Sequence, residues 1–497
     1  MKSDPLDLYL HHLEWECLQE DFEFTGSISK DHLPIIPTKV SIRRDENYGI
    51  TVNIFGKKDP KLDLQEFLKS QNNSNKLFAE PFEVKGEEGP GVIKYVLPDC
   101  YLGSGESHYE NGEEIFNFKL ISFRFERTII SDKEPSQLTE WYINSSDPTF
   151  VFPRSTHRRK DTKFIYVRDI DGKLEEKVSG PRNEQISTFD FAFIECEKYG
   201  FIIHQVPKVF GPTWSEHSLG IEYRKEYGYI PEPKERESIS EIVSFILGKH
   251  LLNCGHTIFD EDRYLIKQVA INPWGIDIRG QCKSPSIPPI SLHFDSNATQ
   301  IEKILPPLIL KYLELKDTLK FNEVLWRYWI AEQMPLGTNI PIYANGIEIL
   351  INNWFKMHES KPKSVYISKK EFDDRMVEIL PLIEKRFSDV DTRVKIIQKI
   401  NKSFNMSGNE KFEEFLSEIG INIGIMETAA IAARNKMIHN SIEETPQKIR
   451  DMVILSQTYR VFFNRVILKI LGYSGNYIDY SVAGYPLKPI LSIAGNL

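Results

Sequence analysis

Lys283-Ser284-Pro285-Ser286-Ile287-Pro288-Pro289 is where the chain changes character. Proline fixes φ and lacks a donor N–H, so neither a helix nor a central strand runs through this stretch. Before it, apolar and polar residues alternate. Lys39-Val40-Ser41-Ile42-Arg43, Gly49 to Phe55, Ile115 to Phe125 and Phe189 to Ile194 all carry the period of two that marks half-buried strands. Turn-forming clusters such as Gly86-Glu87-Glu88-Gly89-Pro90-Gly91 and Asn111-Gly112 separate them. An amphipathic helix is expected near 239–252, and strands resume at Leu265 to Ile271. After the connector the period is helical. Helices are expected at about 299–315, 319–333, 344–356, 369–386 and 392–404. A long last helix has Thr445 as N-cap, Pro446 at its first position and Gly472 past its end. The fold class is therefore multidomain α+β: a β-rich region over 1–290 with a helix inserted near 239–252, then an all-helical region over 296–497.

Composition excludes several functions. The chain has 497 residues, enough for two or three units with sizeable cores. Its net charge of -9 argues against nonspecific coating of nucleic acid, which relies on many Lys and Arg contacts to phosphate, but leaves room for a local basic cleft. The five cysteines, Cys17, Cys100, Cys196, Cys254 and Cys282, form no CxxC pair and fit free thiols in a reducing cytosol. Met1 to Glu20 lacks a basic and then apolar signal region, and no stretch approaches the roughly 20 apolar residues of a membrane helix. A cytoplasmic protein with no membrane partner is expected.

One short run carries chemistry: Arg434-Asn435-Lys436-Met437-Ile438-His439, followed by Asn440. It follows Ile425 to Ala433, a small and apolar segment that reads as a buried helix. A guanidinium and an imidazole there are costly unless paired or used. Arginine offers a fixed fork of donors that suits phosphate, and histidine moves a proton near neutral pH.

This run, on a helix that precedes a long terminal helix in an all-helical region, resembles the R-x(4–6)-H motif of the HEPN superfamily, in which a polar residue such as Asn435 often follows the arginine. A β-rich half fused to such a domain resembles the ApeA-type anti-phage defence proteins. The resemblance implies a metal-independent endoribonuclease, without cofactor, that forms a homodimer to bring two motifs together and takes part in abortive infection. It also implies an acidic or polar residue from an earlier helix near the Arg and His. Glu348, on the otherwise apolar Ala344 to Ile351, is the best match, with Glu332 and Glu427 as weaker rivals.

The expected reaction is attack of an RNA 2′-hydroxyl on the adjacent phosphate. His439 serves as general acid or base, Arg434 stabilises charge on the phosphoryl oxygens, and Asn435 holds the phosphate or the imidazole. The competing reading is structural: Arg434 caps a helix and His439 satisfies a loop carbonyl. Five residues on an unbroken helix span about 500°, which leaves Arg434 and His439 roughly 140° apart. Either the helix ends or kinks between them, or two subunits share the site. Lys436, Asn440, Lys395 and Lys399 are candidate RNA contacts, the last two in a basic series with Lys361, Lys363, Lys369, Lys370, Arg393 and Lys402. A solvated helix face explains the same series.

Other candidates are weaker. His157-Arg158-Arg159-Lys160 reads as a solvated loop, with contact to nucleic acid or a phage component as its alternative, and Cys254 with His256 lacks the further ligands of a zinc site. No GxxxxGK[ST] or GxSxG occurs. Met426, Met437 and Met452 read as core filler. The expected partners are RNA, tRNA or another host or viral species, and a phage-derived trigger protein. The alternative is a non-catalytic HEPN-like interaction protein whose β-rich region senses a ligand.

Overall fold

The computed structural model describes residues 16, 18, 21–25, 27–29, 34–61, 81–88, 92–110, 113–145, 152–160, 164–170, 173–179, 186–206, 215, 217–273, 278–292, 300–335, 337–357, 365–401, 406–439 and 445–490. Two compact units form. Met1–Arg236, Ile246–Ile287 and Leu292–Pro307 make the first; Glu237–Phe245, Pro288–Ser291 and Leu308–Leu497 make the second.

The first unit is built on one antiparallel sheet. Its strands are β1 (Phe22–Phe24), β2 (Ser27–Ile28), β3 (Ile35–Arg44), β4 (Ile50–Lys58), β5 (Phe82–Glu88) and β6 (Ile93–Glu110). Then come β7 (Glu113–Ser122), β8 (Arg124–Ile129), β9 (Gln137–Tyr142), β10 (Arg154–Lys160), β11 (Phe164–Ile170) and β12 (Lys173–Ser179). The last are β13 (Ile186–Glu195), β14 (Tyr199–Val206), β15 (Ser218–Gly228), β16 (Asn253–Phe259) and β17 (Leu265–Ile271). Hydrogen bonds run β1–β3–β4–β7–β6 and on through β8–β17–β16–β9–β15–β14–β13–β10–β11–β12. The long β6 joins the two series. Its first half pairs with β5 and β8, and its second half pairs with β7. The basic run at 157–160 is therefore a strand in β10, not a loop.

Register explains the core. Val40 opposes Ile54, Ile42 opposes Val52, and Val52 and Ile54 oppose Leu120 and Phe118. All six lie in one buried cluster with Tyr95 and Phe125. Each such side chain contributes about 1.5–3 kcal/mol by leaving water. Gly255 in β16 has φ +144°, and a Cβ there would lie 1.9 Å from the Val269 carbonyl oxygen, so only glycine fits.

Arg44 fastens this unit. Its side chain is buried, pairs with the buried Glu16 at 3.0 Å, and donates to the carbonyls of Tyr48 at 3.0 Å, Ile271 at 2.6 Å and Cys254 at 2.6 Å. Burial opposes the charge, but Glu16, with Tyr48 and Cys254, more than offsets it and raises the guanidinium pKa above its ordinary value. Cys254 donates its Sγ to the Trp141 carbonyl at 3.3 Å. Cys100, Cys196, Cys254 and Cys282 are buried thiols that form no disulfide with one another.

The helices are α1 (Pro233–Leu247), α2 (Ile278–Lys283), α3 (Gln300–Leu319), α4 (Phe321–Gln333), α5 (Asn339–Met357) and α6 (Lys369–Met376). They continue with α7 (Ile379–Arg386), α8 (Val390–Ile400), α9 (Gly408–Ile419), α10 (Ile425–His439) and α11 (Pro446–Ile470). The inserted helix starts and ends earlier than 239–252, because Pro233 opens it and Gly248 at φ +65° follows it. Residues 237–245 of α1 belong to the second unit. The division also passes through α3, beside Pro306 and Pro307, where interior prolines remove helix hydrogen bonds. The helix expected over 369–386 is two, α6 and α7. Pro381 is tolerated in the first turn of α7 but not inside one long helix. The sequence reading missed α9, although Ser407 and Glu410 form its capping box and Gly420 ends it at φ +69°. It also missed a short hairpin, β18 (Asn476–Ile478) with β19 (Leu487–Pro489). Thr445 caps α11, with Pro446 in its first turn. No helix among the described residues is long and apolar enough to cross a membrane.

Two outcomes follow for stability. Arg44→Leu strands the Glu16 carboxylate and is expected to cost about 3–5 kcal/mol in urea denaturation, whereas removing the exposed intrahelical pair with Arg375→Ala changes stability by less than about 1 kcal/mol. Burial, then Arg236, Arg124 and Lys267, push His256 down to about 3, and burial pushes His250 down to about 4. Both are neutral when folded but take up protons when unfolded. Their contribution is present above about pH 6.5 and is lost as pH falls toward 4 and 3. His256→Gln is expected to remove about 2 kcal/mol of the stability loss between pH 7 and 5, read from urea midpoints.

Candidate active site

The candidate site forms where α5, α10 and α11 meet in the second unit. Helix α10 is not buried as its apolar sequence suggests. Ala430 and Ala433 are buried, but Ile425 is 89 % exposed and Met426 is half-exposed, so Met426 is no core filler. Among the described side chains of α10, Glu427, Ala430, Ile431, Ala433 and Arg434 are buried or half-buried, and the small alanines let neighbouring helices come close.

Arg434 Nη2 on α10 pairs with Glu348 Oε1 on α5. The two rival acids have other partners. Glu332 on α4 pairs with Arg460 on α11 at 3.2 Å and accepts a hydrogen bond from the Tyr343 hydroxyl. Glu427 pairs with Arg465 and accepts from the Gly424 N–H at 2.7 Å, at the start of α10. Exposure separates the three pairs. The Arg460–Glu332 side chains are 8 % and 15 % exposed, and Arg465–Glu427 are 13 % and 15 %. The Arg434–Glu348 side chains are 35 % and 42 % exposed, so a ligand can reach them. Glu348 is therefore neither a buried acid nor a free surface one.

Tyr459 on α11 is a site residue that sequence reasoning missed. It is buried, stacks on Tyr343 at 6.2 Å and 13°, and meets Phe462 edge-on at 5.8 Å. Burial pushes its hydroxyl pKa up, while Arg434 lowers it and Glu348 raises it, so its phenol lies within reach of both charges. Its only sequence signal was a place on the buried face of α11.

Gly346 sets the approach of α5. A Cβ there would lie 2.9 Å from Phe463 Cε2 on α11. With Gly346 in place, α5 lies against α11, two residues from Glu348.

Helix α10 continues unbroken to His439, so an end between Arg434 and His439 is excluded. On that helix the two residues lie roughly 140° apart. Asn435, Lys436 and His439 are described as backbone in the last turns, and Asn440 lies outside the described residues. Lys395 and Lys399 are exposed one turn apart on α8, whose main packing partner among the described residues is α7. The structure thus gathers Arg434, Glu348 and Tyr459. Lys361, Lys363 and Lys402 lie outside the described residues. Among the described residues no cluster of His, Cys, Asp and Glu could hold a metal ion.

Chemically, a half-exposed guanidinium held by one carboxylate is an anion site in which phosphate can compete for the arginine. No known family model, characterised protein or solved structure matches the chain. Gly346→Val forces α5 away from Phe463 and is expected to cost about 1–3 kcal/mol in chemical denaturation, a loss that a reduced Phe463→Leu side chain should partly recover.

Proposed function

We propose that the chain is a metal-independent endoribonuclease of the HEPN type, acting in the cytoplasm in abortive anti-phage defence. The observation that supports this is the Arg434–Glu348 pair. Of the three arginine–glutamate pairs that bridge helices among the described residues of this unit, it is the most accessible, and it sits at the arginine of the Arg434–His439 run.

The substrate supplies its own nucleophile. The 2′-oxygen attacks the adjacent phosphorus as a base removes its proton. The bond from phosphorus to the 5′-oxygen breaks, and that oxygen takes a proton. The products are a 2′,3′-cyclic phosphate and a 5′-hydroxyl. His439 carries the proton at one of these steps. Arg434 leaves Glu348 in part to bind the phosphoryl oxygens where charge builds. Glu348 keeps the guanidinium aimed, and Asn435 holds phosphate or imidazole. Lys436, Asn440, Lys395 and Lys399 add attraction for the RNA backbone, be it tRNA or another host or viral RNA.

The unbroken helix favours a homodimer. Helical geometry sets positions 434 and 439 roughly 140° apart around α10, whereas a two-fold axis repeats the run and lets one cleft draw an arginine from one copy and a histidine from the other. The β-rich unit would hold the nuclease in check until a phage-derived trigger arrives. A second reading, a non-catalytic interaction protein, draws on exposed apolar residues such as Leu382 and Val390, on α7 and α8, helices with no buried residue.

Purified full-length protein and RNA in excess EDTA decide between them. Arg434→Ala and His439→Ala are each expected to lower cleavage by about 10²–10⁴-fold, with folding stability changed by less than about 1 kcal/mol. Mixing the two variants should restore part of the activity if the dimer shares its sites. Cleavage unchanged in both variants would remove the nuclease reading.

A further inference from the structure

A second site lies in the β-rich unit, in a cleft of about 590 Å³ at the ends of β9 and β15 and the turn between β16 and β17. That volume is within the range of small-molecule sites, roughly 300–1,000 Å³. Its floor is Gln137 and Arg224, which are Cα partners in neighbouring strands and so present their side chains on one face of the sheet. Both residues are 6 % exposed. Arg224 is held by Glu222 and by Glu226 at 3.0 Å. The Gln137 amide bonds to no described residue, yet it lines the cleft, offering one donor group and one acceptor to an occupant.

One wall is a braced turn. The buried Asp260 carboxylate accepts from the Asp262 and Tyr264 N–H groups at 2.9 and 2.8 Å. This holds Arg263 at φ +66°, a conformation that costs a non-glycine residue roughly 1–2 kcal/mol. Arg263 faces the cleft with no carboxylate partner among the described residues. The lysines of the cleft are already neutralised, Lys133 by Asp262 and Lys225 by Glu134. The charges left uncommitted among the described residues are therefore the Arg263 guanidinium and the carboxylates of Asp132 and Glu261.

We infer that this cleft binds a small zwitterion of dipeptide size, with its carboxylate on Arg263, its ammonium toward Asp132 and Glu261, and its peptide group on the Gln137 amide. A simple anion would meet two carboxylates, and a simple cation would meet the guanidinium. Uncommitted charge of both signs beside an unused amide suits a ligand carrying all three complements. This site does not rest on the ribonuclease reading, since none of its residues belongs to the Arg434–Glu348 site.

Calorimetric titration of the full-length chain with alanyl-alanine tests it, against N-acetyl-alanyl-alanine amide, acetate and inorganic phosphate as controls. Saturable binding of the free dipeptide is expected, with at least about tenfold weaker binding by Arg263→Gln and by Gln137→Leu and none by the blocked peptide. Arg263→Gln changes an incompletely buried turn residue, so its thermal midpoint should stay unchanged or rise. No saturation by alanyl-alanine at ~10 mM, equal binding of the blocked peptide, equal binding of acetate or phosphate, or undiminished binding by Arg263→Gln would each overturn the inference.

Discussion

The close approach of α5 and α11 at Gly346 is the constraint on which the candidate site depends. With hydrogen in place of a side chain, the Phe463 ring can sit against the backbone of α5. That contact fixes α5 relative to α11, and α10 then packs on both. Buried pairs pin the other ends: Arg460 ties α11 to Glu332 on α4, and Arg465 ties α11 to Glu427 at the start of α10. With three helices held this way, Glu348 has a defined neighbour in Arg434, and Tyr459 has a defined place beneath them. The packing costs are met in the core, where aromatic contacts among Tyr328, Tyr343, Tyr459 and Phe463 are dense.

The three arginine–glutamate pairs illustrate a division set by water. A buried pair is expensive to break, because the remaining charge has no solvent to turn to, so Arg460 and Arg465 serve the architecture. An exposed pair contributes about 0–1 kcal/mol. On the proposed function, Arg434 therefore gives up little by exchanging a glutamate for a phosphate, while the carboxylate keeps it from wandering when no phosphate is present. The same logic runs through the β-rich unit. Arg44 and Glu16 are sealed and structural. Arg263 is held in a strained turn with no carboxylate partner among the described residues.

Much of the fold was legible because its signals are local. The alternation at 39–43, 49–55 and 265–271 became β3, β4 and β17, and Thr445 with Pro446 marked the start of α11. Strand order was not legible, because pairings such as β8 with β17 or β9 with both β15 and β16 join residues far apart in sequence. The alanine-rich start of α10 looked buried because composition does not reveal which face has a neighbour; Ile425 and Met426 point to solvent. At the site, Arg434 and Glu348 could be named in advance, since each is a charge on an otherwise apolar helix. Tyr459 could not, because a buried tyrosine on an apolar stripe reads as core until the charges above it are known. The Arg434–His439 angle was readable from helical geometry. It left open a helix end or kink, or a shared site, and the continuous α10 removes the helix end.

The chemistry of the RNA ends tests the central claim most directly. An RNA cut by the full-length protein in EDTA should carry a 2′,3′-cyclic phosphate and a 5′-hydroxyl, and a single 2′-deoxy substitution at the cut nucleotide should abolish cleavage there. Fragments ending in 3′-hydroxyl and 5′-phosphate, or undiminished cutting at the 2′-deoxy position, would contradict the account.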